Sequence, residues 1–137
     1  MIKIQKEDFN VENEIKLMKD NFNNVGAVST FIGFVRSENT NKKVFSIDLE
    51  VYESMAKKYL IELINNTNNK WNLLGSLIIH RYGKLYANEK IVLVATFSKH
   101  RKESYEACNF IMDYLKKDAP FWKKENYKDN SIWIKNN

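Results

Sequence analysis

Between Ser98 and Glu125 the chain reads SKHRKESYEACNFIMDYLKKDAPFWKKE, and its cations fall in pairs. His100 and Arg101 open the stretch, Lys116 and Lys117 follow, and Lys123 and Lys124 close it. Pro120, the only proline in the chain, separates the last two pairs. The segment between the first two has helical periodicity, with Tyr105, Cys108, Ile111, Met112 and Leu115 on one stripe. Cations at both ends of one helix, with Phe121 and Trp122 beside the last pair, point to a pocket for an anion.

Lys116 follows directly on Leu115 of the apolar stripe, which places it at the edge of the helix's buried face. Pro120 cannot continue a helix and biases Ala119 away from helical angles. A turn there can bring Lys123 back toward Lys116. Two ammonium groups held close disfavour each other's charge, which lowers the pKa of at least one. A lysine tuned in this way serves as a general acid or base, or as a nucleophile. The competing reading is solvated lysines at a helix C-terminus, where the macrodipole favours cations by about 0.3–1 kcal/mol.

His100 and Arg101 fall between an apolar strand and a helix, the place where ligands bind in many α/β folds. Arginine grips phosphate through charge-assisted bonds of about 1.5–3 kcal/mol each. The alternative is a pair that only finishes the strand-to-helix turn. Arg36 also ends a strand, beside a polar loop, and is a third candidate cation; its alternative is a surface ion pair of little worth. His80 and Arg81 have the same strand-end position, and there an internal hydrogen bond with a salt bridge is the favoured reading. Cys108 lies on an apolar stripe with no second cysteine, as expected of an inert buried thiol. Two histidines and one cysteine at unrelated spacings give no zinc signature, and neither a P-loop nor GxGxxG occurs.

The elements that must position these groups follow from pattern. Ile2 and Ile4 alternate with polar residues as a short strand. Asn10 caps a helix whose stripe is Val11, Ile15, Met18 and Phe22, ended by Asn23-Asn24. Gly26–Arg36 reads as a well-buried strand, with Gly26 and Gly33 marking close backbone approach or a bulge. A loop over Ser37–Lys43 follows. Val44–Tyr52 then alternates, with Phe45, Ile47, Leu49 and Val51 inward. Ser54 caps a second helix with stripe Met55, Tyr59, Leu63 and Ile64, fraying in the NNTNN run. Leu73–Tyr82 is a strand, Tyr86–Glu89 a turn, and Lys90–Ser98 a central strand, apolar on both faces. The last helix spans about Lys102–Lys117, and Ser131–Lys135 forms a terminal strand.

At 137 residues this is one α+β domain spanning 1–137, large enough to bury a core without staples. Hydrophobic residues at 44% and charged residues at 28% exclude a disordered chain. The lone cysteine fits a reducing compartment, and no signal-peptide pattern or apolar run near membrane length appears, so the expected location is cytoplasmic. A net charge of +5 favours anionic partners, although lysine and asparagine are abundant throughout and most such lysines are solvated surface.

Five segments together resemble the large, catalytic subunit of molybdopterin synthase: GAVSTFIGFVRSEN at Gly26–Asn39, LEVYESMAKK at Leu49–Lys58, IIHRYGKL at Ile78–Leu85, SKHRKESYEAC at Ser98–Cys108 and MDYLKKDAPFWKKE at Met112–Glu125. The resemblance runs from about Gly26 to Ile134. It implies an α/β hammerhead-like fold with an additional antiparallel sheet. It implies an enzyme of molybdenum cofactor biosynthesis, a sulfurtransferase that adds two dithiolene sulfurs to cyclic pyranopterin monophosphate (precursor Z). The sulfur comes from a ubiquitin-like small subunit whose C-terminal Gly-Gly is a thiocarboxylate, and two large subunits form a homodimer within a heterotetramer. By motif position, Lys116 and Lys123 match the family's essential lysines. His100, Arg101 and Arg36 match its substrate-binding set, with Phe34, Val35, Lys124 and Glu125 adjoining. No metal or cofactor is implied, nor any nucleic acid or membrane. A basic residue of the family's C-terminal segment reaches the neighbouring subunit's site, and here only Lys135 is available for that.

Two other readings compete. A nucleic-acid-binding module predicts a cationic stripe with exposed aromatics and steep salt dependence. A scaffold that only docks the ubiquitin-like protein predicts that Lys116 and Lys123 are dispensable.

Overall fold

A computed structural model describes residues 1–134, so Lys135 and its expected strand end and inter-subunit role lie outside the described residues. Lys90–Ser98 (β8) is the centre of the first sheet, with Leu93, Val94, Ala95 and Phe97 fully buried. Gly75–Arg81 (β6) and Ala27–Phe34 (β2) pair antiparallel on its two sides. Ile2–Gln5 (β1) adds parallel to β6, giving the order β1-β6-β8-β2. Three helices serve this sheet: Val11–Lys19 (α1), Glu53–Trp71 (α2) and Arg101–Lys117 (α3). α1 packs over Leu77, Ile79, Leu93 and Phe97, while α2 and α3 cover Ile78, Val92 and Val94.

The second sheet is antiparallel throughout. Its order is Ser131–Ile134 (β10), Phe121–Asn126 (β9), Ser46–Val51 (β5) and Gly83–Tyr86 (β7). The chain passes from one sheet to the other at Tyr82-Gly83, where Gly83 takes φ +89°, a left-handed conformation that glycine adopts without strain. The expected mixed α+β architecture with an added antiparallel sheet is thus present.

Several expectations shift. β2 is an edge strand, not a well-buried one, and Phe31 and Phe34 are exposed. Its glycines do what their positions imply. A Cβ at Gly26 would lie 1.9 Å from the Lys99 carbonyl oxygen, and the ladder register slips between Gly33 and Phe34. The loop Ser37–Lys43 contains a two-rung hairpin, Glu38–Asn39 (β3) and Lys42–Lys43 (β4). Thr40 and Asn41 both have positive φ, as the tightest hairpin turns need. Phe45 precedes the β5 ladder and is exposed, whereas Val44 is buried. α1 stops at Lys19 under its Asn10 cap, yet Phe22 still reaches the core beside Phe97 at 5.7 Å.

α2 also departs from its pattern. Tyr52, not Ser54, occupies the N-cap position, and no side chain caps it. Met55 is exposed because the buried stripe runs through Ala56, Leu60, Leu63, Ile64 and Thr67. The NNTNN run stays helical. Buried Thr67 donates to the Leu63 carbonyl, Asn68 accepts from Ser76, and left-handed Asn72 ends the helix. On α3, Tyr105 is exposed, and Ser104, Ala107, Cys108 and Ile111 face inward instead. β9 was absent from the sequence-based expectation altogether.

His80 on β6 stacks on Phe121 of β9 with ring centroids 3.8 Å apart, joining the two sheets. Its Nδ1–H donates to the Arg81 carbonyl at 2.8 Å. Burial pushes its pKa down to about 4, against the opposing pull of that carbonyl. Arg81 is held by the Lys6 and Lys90 carbonyls and by Glu89 and Asp8, so the internal reading of this pair is the one observed.

Two outcomes follow. Phe97→Ala empties the tightest part of the α1 side of the core and should cost about 3–5 kcal/mol in urea unfolding. His80 has a folded pKa below its unfolded one. Its neutral form is therefore fully accommodated above about pH 6.5, and stability falls as pH drops toward about 4 because the unfolded chain binds a proton that the fold does not. Between pH 7 and 4.5 the loss should be about 2–3 kcal/mol. Each protein being compared with itself at pH 7, His80→Phe should lose less over that interval; equal losses would place the pH sensitivity elsewhere.

Candidate functional site

The alternation of β9 sets the site. Phe121, Lys123 and Glu125 point to one face, while Trp122 and Lys124 point to the other. Against the inner face stand the last turn of α3, which carries Lys116, and the chain just past β2, which carries Arg36. A cavity of about 200 Å³ opens there, lined among others by Phe31, His80, Met112, Leu115, Lys116 and Lys123. The turn at Ala119-Pro120 does return Lys123 to Lys116, as the proline implies.

The electrostatics are those of crowded cations. The Lys123 ammonium is held below the ordinary lysine range, first by burial and then by repulsion from Arg36 and Lys116; Glu125 opposes the shift. Glu125 is 2% exposed and accepts from Asn39 Nδ2 at 2.7 Å and from the Tyr127 hydroxyl at 2.7 Å. Its bond with Glu125 is also the main reason the Tyr127 hydroxyl titrates above its ordinary range. A lysine destabilised as a cation gives up and takes back a proton readily, and the flanking charges attract an anion.

Other candidates fall differently. Phe34 is exposed at the end of β2. The Val35 side chain is buried with Val44, Ile47, Leu49 and Leu85, and its N–H donates to the Glu89 carbonyl at 2.8 Å; it anchors the backbone from which Arg36 projects. Lys124 lies on the outer face of the sheet, 3.6 Å from Asp48 and over the Trp133 ring at 5.5 Å. His100 and Arg101 are exposed at the N-terminus of α3. Fifteen residues of helix separate Arg101 from Lys116, about 22 Å along the axis. The expected single pocket is therefore two clusters in one chain, one at each end of α3.

A second, shallower cavity of about 350 Å³ runs between β2 and α3 and also ends at Lys116. Cys108 lines it, with its thiol pushed up to about 11 by burial, far from the range of a reactive thiolate. Among the described residues, no three His, Cys, Asp or Glu side chains gather as a metal site requires. No helix among them is long and apolar enough to cross a membrane. The sequence reading assigned no site role to Asn39 and Tyr127, and it favoured an internal role for His80. The available signal was proximity, since Asn39 lies three residues past Arg36 and Tyr127 two past Glu125.

Comparison with known proteins bears on what this arrangement does. A family model described as "MoaE protein" matches residues 4–118. The molybdopterin synthase catalytic subunit of Ralstonia nicotianae is 43% identical over 97% of this chain and 76% of its own length. That of Vibrio cholerae is 42% identical over 97% of this chain and 88% of its own. The crystal structure of molybdopterin synthase from Staphylococcus aureus superposes with a TM-score of 0.90 at 32% identity, covering 96% of this chain and 95% of that one. A Burkholderia ambifaria MoaE structure does so at 0.86 and 35%, covering 99% and 89%. With its family model matched over most of its length and such relatives aligned almost end to end, the chain belongs to the MoaE family of molybdopterin synthase catalytic subunits.

Proposed function

We propose that the Lys116–Lys123 cavity is where sulfur is transferred to cyclic pyranopterin monophosphate, giving the dithiolene of molybdopterin. The observation that carries this is the convergence of Lys116, Lys123 and Arg36, from three separate elements, on one cavity where the Lys123 ammonium is destabilised. Both reactants are anions, a thiocarboxylate and a cyclic phosphate, so a cationic cavity suits each. The thiocarboxylate is the C-terminal Gly-Gly of a ubiquitin-like small subunit; a catalytic subunit, as the relatives are named, implies a second kind of chain. Lys116 stabilises the thiocarboxylate charge, and Lys123 exchanges protons as sulfur attacks the pterin side chain. The whole chain acts as one domain in the reducing cytoplasm, which fits the buried free Cys108.

The distance along α3 bears on assembly. A small pterin phosphate does not reach from Lys116 to Arg101 of the same chain. In a homodimer within a heterotetramer, His100 and Arg101 of one copy bind the phosphate above the lysines of the other, with Phe34 beside it. Lys124 steadies the outer face of the same strand, Val35 the base of Arg36, and Glu125 the charge of Lys123.

The direct test supplies thiocarboxylated small subunit and cyclic pyranopterin monophosphate and measures dithiolene product. Wild type should turn over, and Lys116→Ala should fall by about 100-fold or more. A folded wild type that binds the small subunit and yields no product leaves only a docking scaffold. Complementation tests the sharing of sites. Lys116→Ala and Arg101→Ala, each inactive alone, should regain about a quarter of wild-type activity when mixed and allowed to exchange subunits, because half the dimers then hold one intact site. No recovery despite exchange would confine each site to one chain.

A further inference from the structure

Lys123 needs a counter-charge that stays in place, and the fold builds one from residues with no other evident task. Glu125 shares the inner face of β9 with Lys123, two positions along. Its carboxylate is almost wholly buried, in a protein where the other buried charged side chain among the described residues, Arg81, is ringed by partners. Two donors meet one oxygen of Glu125. Asn39 Nδ2 comes from the β3–β4 hairpin at 2.7 Å, and the Tyr127 hydroxyl comes from the end of β9, also at 2.7 Å. Asn39 Nδ2 also lies 3.4 Å from the Tyr127 oxygen, so the three groups close a triangle.

The consequence is directional. Charge-assisted bonds are short and hold their geometry, and here both act on the same oxygen. A buried carboxylate without donors would be costly and free to rotate away from Lys123. The hairpin itself is fixed by its two-rung ladder and by the bond from Val44 N–H to the Ser37 carbonyl. Lys42 lies over the Tyr127 ring at 5.9 Å, which adds a second tie between the hairpin and the clamp.

We propose that Asn39 and Tyr127 are positioning residues that clamp the Glu125 carboxylate opposite Lys123, so that the β3–β4 hairpin controls the charge of the catalytic lysine. The proposal rests on the synthase reading only for Lys123's role in the reaction; the clamp is a property of the resting protein. The charged and titratable groups around Lys123 are Arg36 after β2, Lys116 on α3, His80 on β6 and Glu125 on β9. Three are basic, so Glu125 alone holds the proton on Lys123. Loosening the clamp therefore lowers the pH at which Lys123 loses that proton.

The test reads Lys123 directly. In full-length protein, the εCH2 resonance of Lys123, assigned with Lys123→Arg, is titrated by carbon-detected NMR. Tyr127→Phe and Asn39→Ala should each move the midpoint to lower pH, and the double variant by about one unit, matching Glu125→Gln. In the product assay, the alkaline limb of the kcat profile should move by the same amount, with KM for the pterin little changed. Asn39→Gln, which keeps the amide donor, should restore part of the shift. An unchanged Lys123 titration in the folded double variant overturns the clamp, as does lost activity accompanied only by a lower Tm. If wild type makes no product while the titration still shifts, the clamp stands and the synthase reading falls.

Discussion

The site depends on holding like charges together against their repulsion. Arg36, Lys116 and Lys123 each gain from separation, and nothing local keeps them close. The scaffold does. Arg36 is fixed because Val35 is buried behind it, Lys116 because α3 is packed along Cys108 and Ile111, and Lys123 because β9 is a central strand between β5 and β10. Repulsion left uncompensated would be relieved by fraying one of these elements. The buried Glu125 reduces it from within the strand, and the remainder appears as the destabilised Lys123 ammonium. A cluster of this kind is more favourable with an anion bound than empty, which is the thermodynamic meaning of an anion site.

Two strand ends that look alike in sequence illustrate the difference between a structural and a reactive cation. Arg81 follows a histidine at the end of β6, as Arg101 does after β8. Arg81 is satisfied by two carbonyls and two carboxylates and locks the N-terminal strand to the β7–β8 turn. Arg101 is exposed, next to a helix N-terminus that no side chain caps. Buried charges persist only when paired, whereas exposed ones remain available, so burial and partners separate the two roles that residue type leaves open.

Most elements were legible because their patterns report a single packing surface. β8, apolar on both faces, is the central strand; Asn10 caps α1; the glycines at 26 and 33 mark a close approach and a bulge. β9 was not legible, for a reason tied to function. Its inner face carries Phe121, Lys123 and Glu125, so the alternation that marks a half-buried strand is replaced by charge on the side that faces inward. β2 misled in the opposite sense, since apolar residues on an edge strand read as burial when Phe31 and Phe34 are in fact exposed. Among site residues, the convergence of Lys116 and Lys123 was implied by Pro120. The roles of Asn39 and Tyr127 depend on pairing between segments far apart in sequence, which no local spacing encodes.

The length of α3 governs how far one chain can carry this chemistry. Lys116 and Lys117 sit at the C-terminal end, where the macrodipole favours cations, whereas Arg101 and Lys102 sit at the end where it opposes them. Glu103 is the only acidic residue in that first turn, and His100 makes no capping bond. The arrangement is thus locally unfavourable at one end and favourable at the other. An anion lying against His100 and Arg101 would satisfy the opening N–H groups and the side chains together. At about 22 Å from Lys116, that anion does not belong to the same chain's lysine cavity. The two ends of one helix are complementary halves, and a twofold pairing that sets the start of one α3 over the end of another meets both constraints with no residue added.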